Sequence, residues 1–155
     1  MAESQRDQEE RDLQLPPLQT WTQEQRDYWE TYVCDLADAL RLGHVEMYFE
    51  WGKSLDKDIA AASNSQLKRN RLRLAWSENL PNDPVEEARD SAVHELMHYH
   101  TAKLRQSILC VEDHVQKDVF LAIAKMIDLE EEQLVDAVTR LLAPTLPLPV
   151  WPVKS

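Results

Sequence analysis

The sequence predicts a single α+β domain in which helices flank a small three-stranded sheet. Its 155 residues fit one domain. Apolar residues recur every three or four positions over 28–40, which is typical of an amphipathic helix. They alternate with polar residues over 45–51 and again over 72–76, which indicates two strands with one buried face each. A weaker third strand is expected over 58–64.

The limits of the first helix follow from capping residues. Thr22 is a favourable N-cap, and Gln25 three residues later completes a capping box. Gly43 is expected to close the helix. The strand over 72–76 is expected at the edge of the sheet. Its solvated side would explain the only basic cluster, which consists of Lys68, Arg69, Arg71 and Arg73, and a binding patch is the alternative.

A long second helix is predicted from a strong start. Asp83 at the N-cap, Pro84 at the first position and Glu86 at the third begin a helix that meets no proline or glycine up to about Gln106. A further helical stretch is expected near 113–127. Asp128 then opens a last helix, which ends at Pro144.

Composition and charge predict how the chain is divided and which partners it is expected to avoid. Residues 1–20 are polar and are expected to form a flexible arm, 21–144 the domain, and 145–155 a proline-rich tail packed on it. A net charge of -11 argues against nucleic acid or an anionic membrane as partner. The start lacks the pattern of a signal peptide, and no apolar stretch reaches about 20 residues, so a cytoplasmic protein is expected. Cys34 and Cys110 are expected to be buried free thiols.

The second helix carries the residues with the clearest chemistry. His94, Glu95 and His98 form the pattern His-Glu-x-x-His. Residues four apart lie on one helix face, so the two imidazoles can bind one zinc ion. Glu95 is adjacent and can reach a water molecule at the metal as general base.

A catalytic zinc site needs a third protein ligand. A histidine is absent six residues after His98, where the chain has Leu104, so a carboxylate from a later segment is expected. Helical spacing favours Glu131, because it lies on the same face as an apolar stripe that is expected to be buried. The stripe consists of Leu134, Val135, Val138 and Leu142, and the other candidates are Glu112, Asp113, Glu130, Glu132 and His114.

Glu131 also has an explanation without metal, because it would form a capping box with Asp128. Asp90 and Asp136 are candidates for the carboxylates that orient the ligand imidazoles.

Residues 131–144 resemble the second motif of ImmA/IrrE-type metallopeptidases. The resemblance rests on Glu131 and on the Leu-Leu-x-Pro end formed by Leu141, Leu142 and Pro144. Over 45–144 the order of elements is similar to the core of a small gluzincin, or minigluzincin, found in short proteins of phages and mobile elements. The resemblance implies a zincin-like fold and a zinc metallopeptidase with His94, His98 and Glu131 as ligands.

The expected function is zinc-dependent cleavage of a protein or peptide, with Glu95 as the catalytic base. The substrate is expected to lie extended along the strand that ends near Trp76. Two alternatives stay open. One is a non-enzymatic phage or mobile-element adaptor that keeps the zinc site, and the other is a different zinc hydrolase, such as an amidase.

Overall fold

The computed structural model describes residues 21–53, 61–110 and 112–152, and these confirm the α+β class. They form helices α1 (Gln23–Ala39), α2 (Val85–Leu109) and α3 (Lys117–Leu142), and strands β1 (Glu46–Lys53), β2 (Ala61–Gln66) and β3 (Arg71–Ser77). None of these helices combines the length and apolar character that crossing a membrane requires. The arm predicted over 1–20 lies outside the described residues.

The sheet has the order β1-β3-β2, with β3 parallel to β1 and antiparallel to β2. The prediction that β3 is an edge strand is therefore wrong. Its central place is reflected in burial, because Leu72, Leu74 and Trp76 are inaccessible on one face and Ala75 is nearly so on the other. An alternating pattern describes one buried face and does not specify how many neighbours a strand has.

Strand β2 forms one edge of the sheet. It begins at Ala61, and the predicted positions before it lie outside the described residues. A 3-10 turn (Leu67–Arg69) then leads into Asn70, whose φ of 50° reverses the chain towards β3. The Tyr99 hydroxyl lies 3.4 Å from Asn70 Oδ1 and thereby connects this turn to α2.

The capping box of α1 is confirmed. The Gln25 amide donates to Thr22 Oγ1 (3.1 Å), and the Thr22 amide donates to Gln25 Oε1 (3.0 Å). The helix ends at Ala39, and the chain turns at Arg41 with a φ of 63°, so the prediction that Gly43 closes the helix is wrong. A Cβ at Gly43 would meet only the carboxylate of Asp38, which is exposed and can move aside.

Helix α3 is continuous, so the two predicted helices are one. Residues 117–142 contain neither proline nor glycine, and nothing in that span interrupts the backbone hydrogen bonds. Asp128 therefore lies inside the helix and cannot cap it. Leu134 is 46% exposed, which also contradicts the predicted stripe, whereas Val135 is buried.

The main core lies between α1, α2 and one face of the sheet, and aromatic side chains occupy one end of it. Trp29 contacts Trp76 edge-on, with ring centroids 5.3 Å apart, and stacks on Trp151 at 4.9 Å. The C-terminal segment is held there, because the Tyr32 hydroxyl donates to the Pro147 carbonyl (2.8 Å). The cysteine prediction is half right, since Cys34 and Cys110 are free thiols but both are exposed.

Leu74→Ala should lower the free energy of unfolding by about 2–5 kcal/mol, because it leaves a cavity in the central strand. Leu141→Ala is the matched control, since Leu141 is 75% exposed and its truncation should change stability by less than about 0.5 kcal/mol. Urea unfolding followed by circular dichroism measures both. Equal effects of the two substitutions would contradict the placement of β3 in the core.

Candidate metal site

Helix α2 positions the His-Glu-x-x-His residues at mid-helix. His94 and His98 lie one turn apart, and their Nε2 atoms are 3.1 Å from each other. Both imidazoles are partly exposed, at 23% and 18% of the side-chain surface. Two ring nitrogens this close and open to solvent can bind one ion between them.

The carboxylate that faces both nitrogens belongs to Glu132 on α3. Its Oε2 lies 3.5 Å from His94 Nε2, and its Oε1 lies 3.4 Å from His98 Nε2. Ligands bound tetrahedrally at about 2.0–2.1 Å from zinc are about 3.3 Å from each other. The distance between the two Nε2 atoms, and the distance from each of them to its nearer oxygen of Glu132, are close to that value. Ligand atoms of these three residues all lie within 4.8 Å of one another, so the group fits a single metal ion.

The other ring nitrogens of the two histidines also face carboxylates. Asp136 Oδ1 lies 3.2 Å from His94 Nδ1, as the sequence suggests, and Glu131 Oε1 lies 3.6 Å from His98 Nδ1. A carboxylate at Nδ1 favours the tautomer with its proton there, which leaves the Nε2 lone pair for a metal. Both imidazoles are thereby oriented for binding on the same side.

Glu131, the predicted third ligand, does not face the two Nε2 atoms. Only 14% of its side chain is exposed, and its Oε1 accepts a hydrogen bond from the Thr101 hydroxyl (2.6 Å). It faces Nδ1 of His98 and not the pair of Nε2 atoms. Glu131 does face inward as predicted, since it shares a helix face with the buried Val135 and Thr139. The two Nε2 atoms instead face the more exposed neighbouring carboxylate, that of Glu132.

Glu95 lies beside this group as a nearly buried carboxylate, with 7% of the residue exposed. Burial raises the pKa of the Glu95 carboxyl, while a hydrogen bond from the Ser63 side chain and the two neighbouring imidazoles oppose that rise. Ser63 lies on β2, so the edge strand contacts the predicted catalytic base directly.

The remaining candidates lie elsewhere. Asp90 binds the Arg89 guanidinium (2.9 Å), and His100 Nε2 lies 2.9 Å from the Leu40 carbonyl oxygen. The ligand candidates Glu112, Glu130 and His114 are exposed and do not belong to the group that faces the two Nε2 atoms.

The site opens into a cleft of about 990 Å³ that runs between β2 and the two long helices. One wall is the whole of β2 with the turn Leu67–Arg69. The other walls are contributed by α2 and α3, namely by His94, Glu95, His98, Ala102, Arg105, Gln106, Asp128, Glu131 and Glu132.

Comparison of the chain with protein-family models, with curated proteins and with solved structures found no match in any of the three. The resemblance to ImmA/IrrE-type metallopeptidases and to the minigluzincin core therefore stays a prediction from the sequence.

Sequence reasoning missed two polar residues that contact the site carboxylates. Ser63 is 32 positions before Glu95, and Thr101 is 30 before Glu131, so only the tertiary fold brings these pairs together. The sequence did contain a pattern that could have indicated Glu132. Asp128, Glu132 and Asp136 recur every four residues and so share one face of α3.

Glu132→Gln should weaken zinc binding strongly, because it removes the charged ligand, whereas Glu131→Gln should weaken it about 10–100-fold through the orientation of His98. Glu130→Gln is the matched control, since this exposed neighbour lies outside the group and should leave affinity unchanged. Competition with a chromophoric chelator measures the three affinities. The assignment is contradicted if Glu131→Gln has the larger effect.

Proposed function

We propose that this protein is a zinc-dependent peptidase of zincin-like architecture, in which His94, His98 and Glu132 bind the ion and Glu95 is the general base. The observation that carries the proposal is the close grouping of two imidazole nitrogens and the Glu132 carboxylate beside the nearly buried Glu95. The nitrogens are 3.1 Å apart, and one oxygen of Glu132 lies 3.5 Å from His94 Nε2 while the other lies 3.4 Å from His98 Nε2.

The donor set supports zinc in preference to other common divalent ions. Two imidazoles and one carboxylate are a frequent combination in catalytic zinc sites and leave a coordination position free. Magnesium and calcium favour sites built from oxygen ligands alone. Zinc supplies Lewis acidity, which makes water more acidic and polarises a carbonyl group.

The roles of the chain's own residues follow from their positions. Glu95 accepts the proton of the attacking water and returns it to the leaving amine, and its raised pKa makes the carboxylate a better base. The Ser63 side chain fixes its orientation through a hydrogen bond. Asp136 and Glu131 lie at Nδ1 of the two imidazoles, where a carboxylate favours the tautomer that leaves Nε2 for the metal.

The substrate is proposed to pair with β2, which replaces the expectation that it follows β3. Strand β2 is the sheet edge that lines the cleft, and an extended peptide can add to such an edge through backbone hydrogen bonds. Its six residues offer about 20 Å of edge. Ser63 lies in this strand, so a peptide bound there passes directly over Glu95.

Glu95→Gln should abolish peptide cleavage, by at least about 10²–10⁴-fold, while zinc stays bound, because the substitution removes the base and no ligand. Glu87→Gln, at an exposed position of the same helix, should leave both properties unchanged. Cleavage is followed by mass spectrometry on a peptide library, and zinc is quantified by elemental analysis of the same samples.

Two results would contradict the proposal. If the folded wild-type protein binds no zinc, the assignment of the metal site is wrong. Zinc-loaded protein that cleaves no peptide, or equal cleavage by Glu95→Gln, removes the assigned chemistry and leaves the adaptor or another hydrolase as the function.

A further inference from the structure

The cleft contains more positive charge at one end than the acidic composition of the chain would suggest. Three cationic residues line it, and they are Lys68, Arg69 and Arg105. All three lie beyond the metal site, towards the C-terminal half of α2. The net charge of the whole chain is -11, so a cationic end of this cleft needs its own explanation.

One of the three cations is already neutralised. Arg105 Nη2 lies 2.7 Å from Asp128 Oδ1, and its Nε lies 3.6 Å from Glu131 Oε2. The two arginines of β3 that belong to the basic cluster are also paired. Arg71 binds Glu46 at 2.7 Å, and Arg73 binds Glu50 at 3.5 Å.

Lys68 and Arg69 differ from these arginines. Both are exposed on the turn between β2 and β3, and among the described residues neither has an ion-pair partner. The turn has a defined shape, because the Asn70 amide donates to the Leu67 carbonyl (3.2 Å) and Asn70 contacts Tyr99 of α2. Two cations without an ion-pair partner in the described part of the chain are thus held at a defined turn beside the cleft.

The position of Lys68 and Arg69 next to β2 could determine which peptides the cleft binds. Strand β2 has the sequence Ala-Ala-Ser-Asn-Ser-Gln, whose uncharged and mostly small side chains provide backbone pairing with little selectivity. The first charged residues along the chain after β2 are Lys68 and Arg69 in the turn that follows it. Lys68 is five positions after Ser63, which contacts Glu95, so the cations lie roughly 10–15 Å along an extended peptide from the base.

We propose that Lys68 and Arg69 form a subsite for an acidic side chain of the substrate, about three or four residues from the bond that is cleaved. This inference rests on the proposed peptidase function, and it adds a substrate class to it, namely peptides with Asp or Glu at that distance. Backbone pairing with β2 aligns the peptide, and the two cations select its register and charge.

The test compares the wild type with the double variant Lys68→Glu/Arg69→Glu, both loaded with zinc, on a proteome-derived peptide library. Cleaved peptides of the wild type should be enriched in Asp and Glu at one position about three or four residues from the cleaved bond. The double variant should lose this enrichment and favour Lys or Arg there. For one matched peptide, its kcat/KM with Glu relative to Gln should fall about fivefold or more.

Lys117→Glu/Lys125→Glu is the control, because it makes the same change in net charge at exposed positions of α3 outside the cleft. It should keep the wild-type preference. A preference that both double variants lose equally would reflect overall charge and would overturn the subsite.

A binding measurement separates this inference from the proposed function. Zinc-loaded Glu95→Gln protein is titrated with fluorescent ten-residue peptides that differ only in Glu or Gln at the selected position. Tighter binding of the Glu peptide, weakened by the Lys68→Glu/Arg69→Glu change and by high salt, supports the subsite even if no peptide is cleaved. Cleavage without an acidic preference overturns the subsite and leaves the peptidase in place. Equal binding of both peptides overturns it as well.

Discussion

The balance of charge where α3 crosses α2 is the constraint on which the rest of the site depends. Four carboxylates, of Glu95, Glu131, Glu132 and Asp136, surround two imidazoles in a half-buried space. Carboxylates this close repel one another unless positive charge lies among them. Arg105 supplies part of that charge at one edge. The proposed divalent ion at the two Nε2 atoms would supply the rest, and its binding would then be thermodynamically linked to the docking of α3.

The sequence predicts the local part of this arrangement well and the tertiary part poorly. The spacing of His94 and His98 is a property of one helix, and the Thr22 capping box is too, so both follow from neighbouring residues. Glu131 and Glu132 are adjacent in sequence, and adjacent residues point about 100° apart around a helix. Which of them faces the two Nε2 atoms is set by which residues α3 buries against α2, and the burial of Thr139 in place of Leu134 is not visible in a hydrophobic pattern.

The order of strands in the sheet is likewise set by tertiary contacts and could not be predicted from the local pattern. Alternation over 72–76 correctly predicts a strand, but a central and an edge strand can share that pattern. Parallel pairing of β1 with β3 requires a long crossover, and β2 lies within it before adding to the other side of β3. The strand beside the metal site is therefore the weakly predicted one. Its neutral side chains, and not the arginines of β3, face the cleft.

The five tryptophans of the chain lie together, apart from the candidate metal site. Ring centroids link all five in one cluster, from Trp21–Trp51 at 4.7 Å to Trp21–Trp29 at 6.1 Å, and none of these rings lines the cleft. Intrinsic fluorescence and near-ultraviolet dichroism therefore report on the attachment of the C-terminal segment and on the aromatic end of the core. No tryptophan ring contacts the two histidines directly, so this signal follows the packing of α3 and of the segment after it.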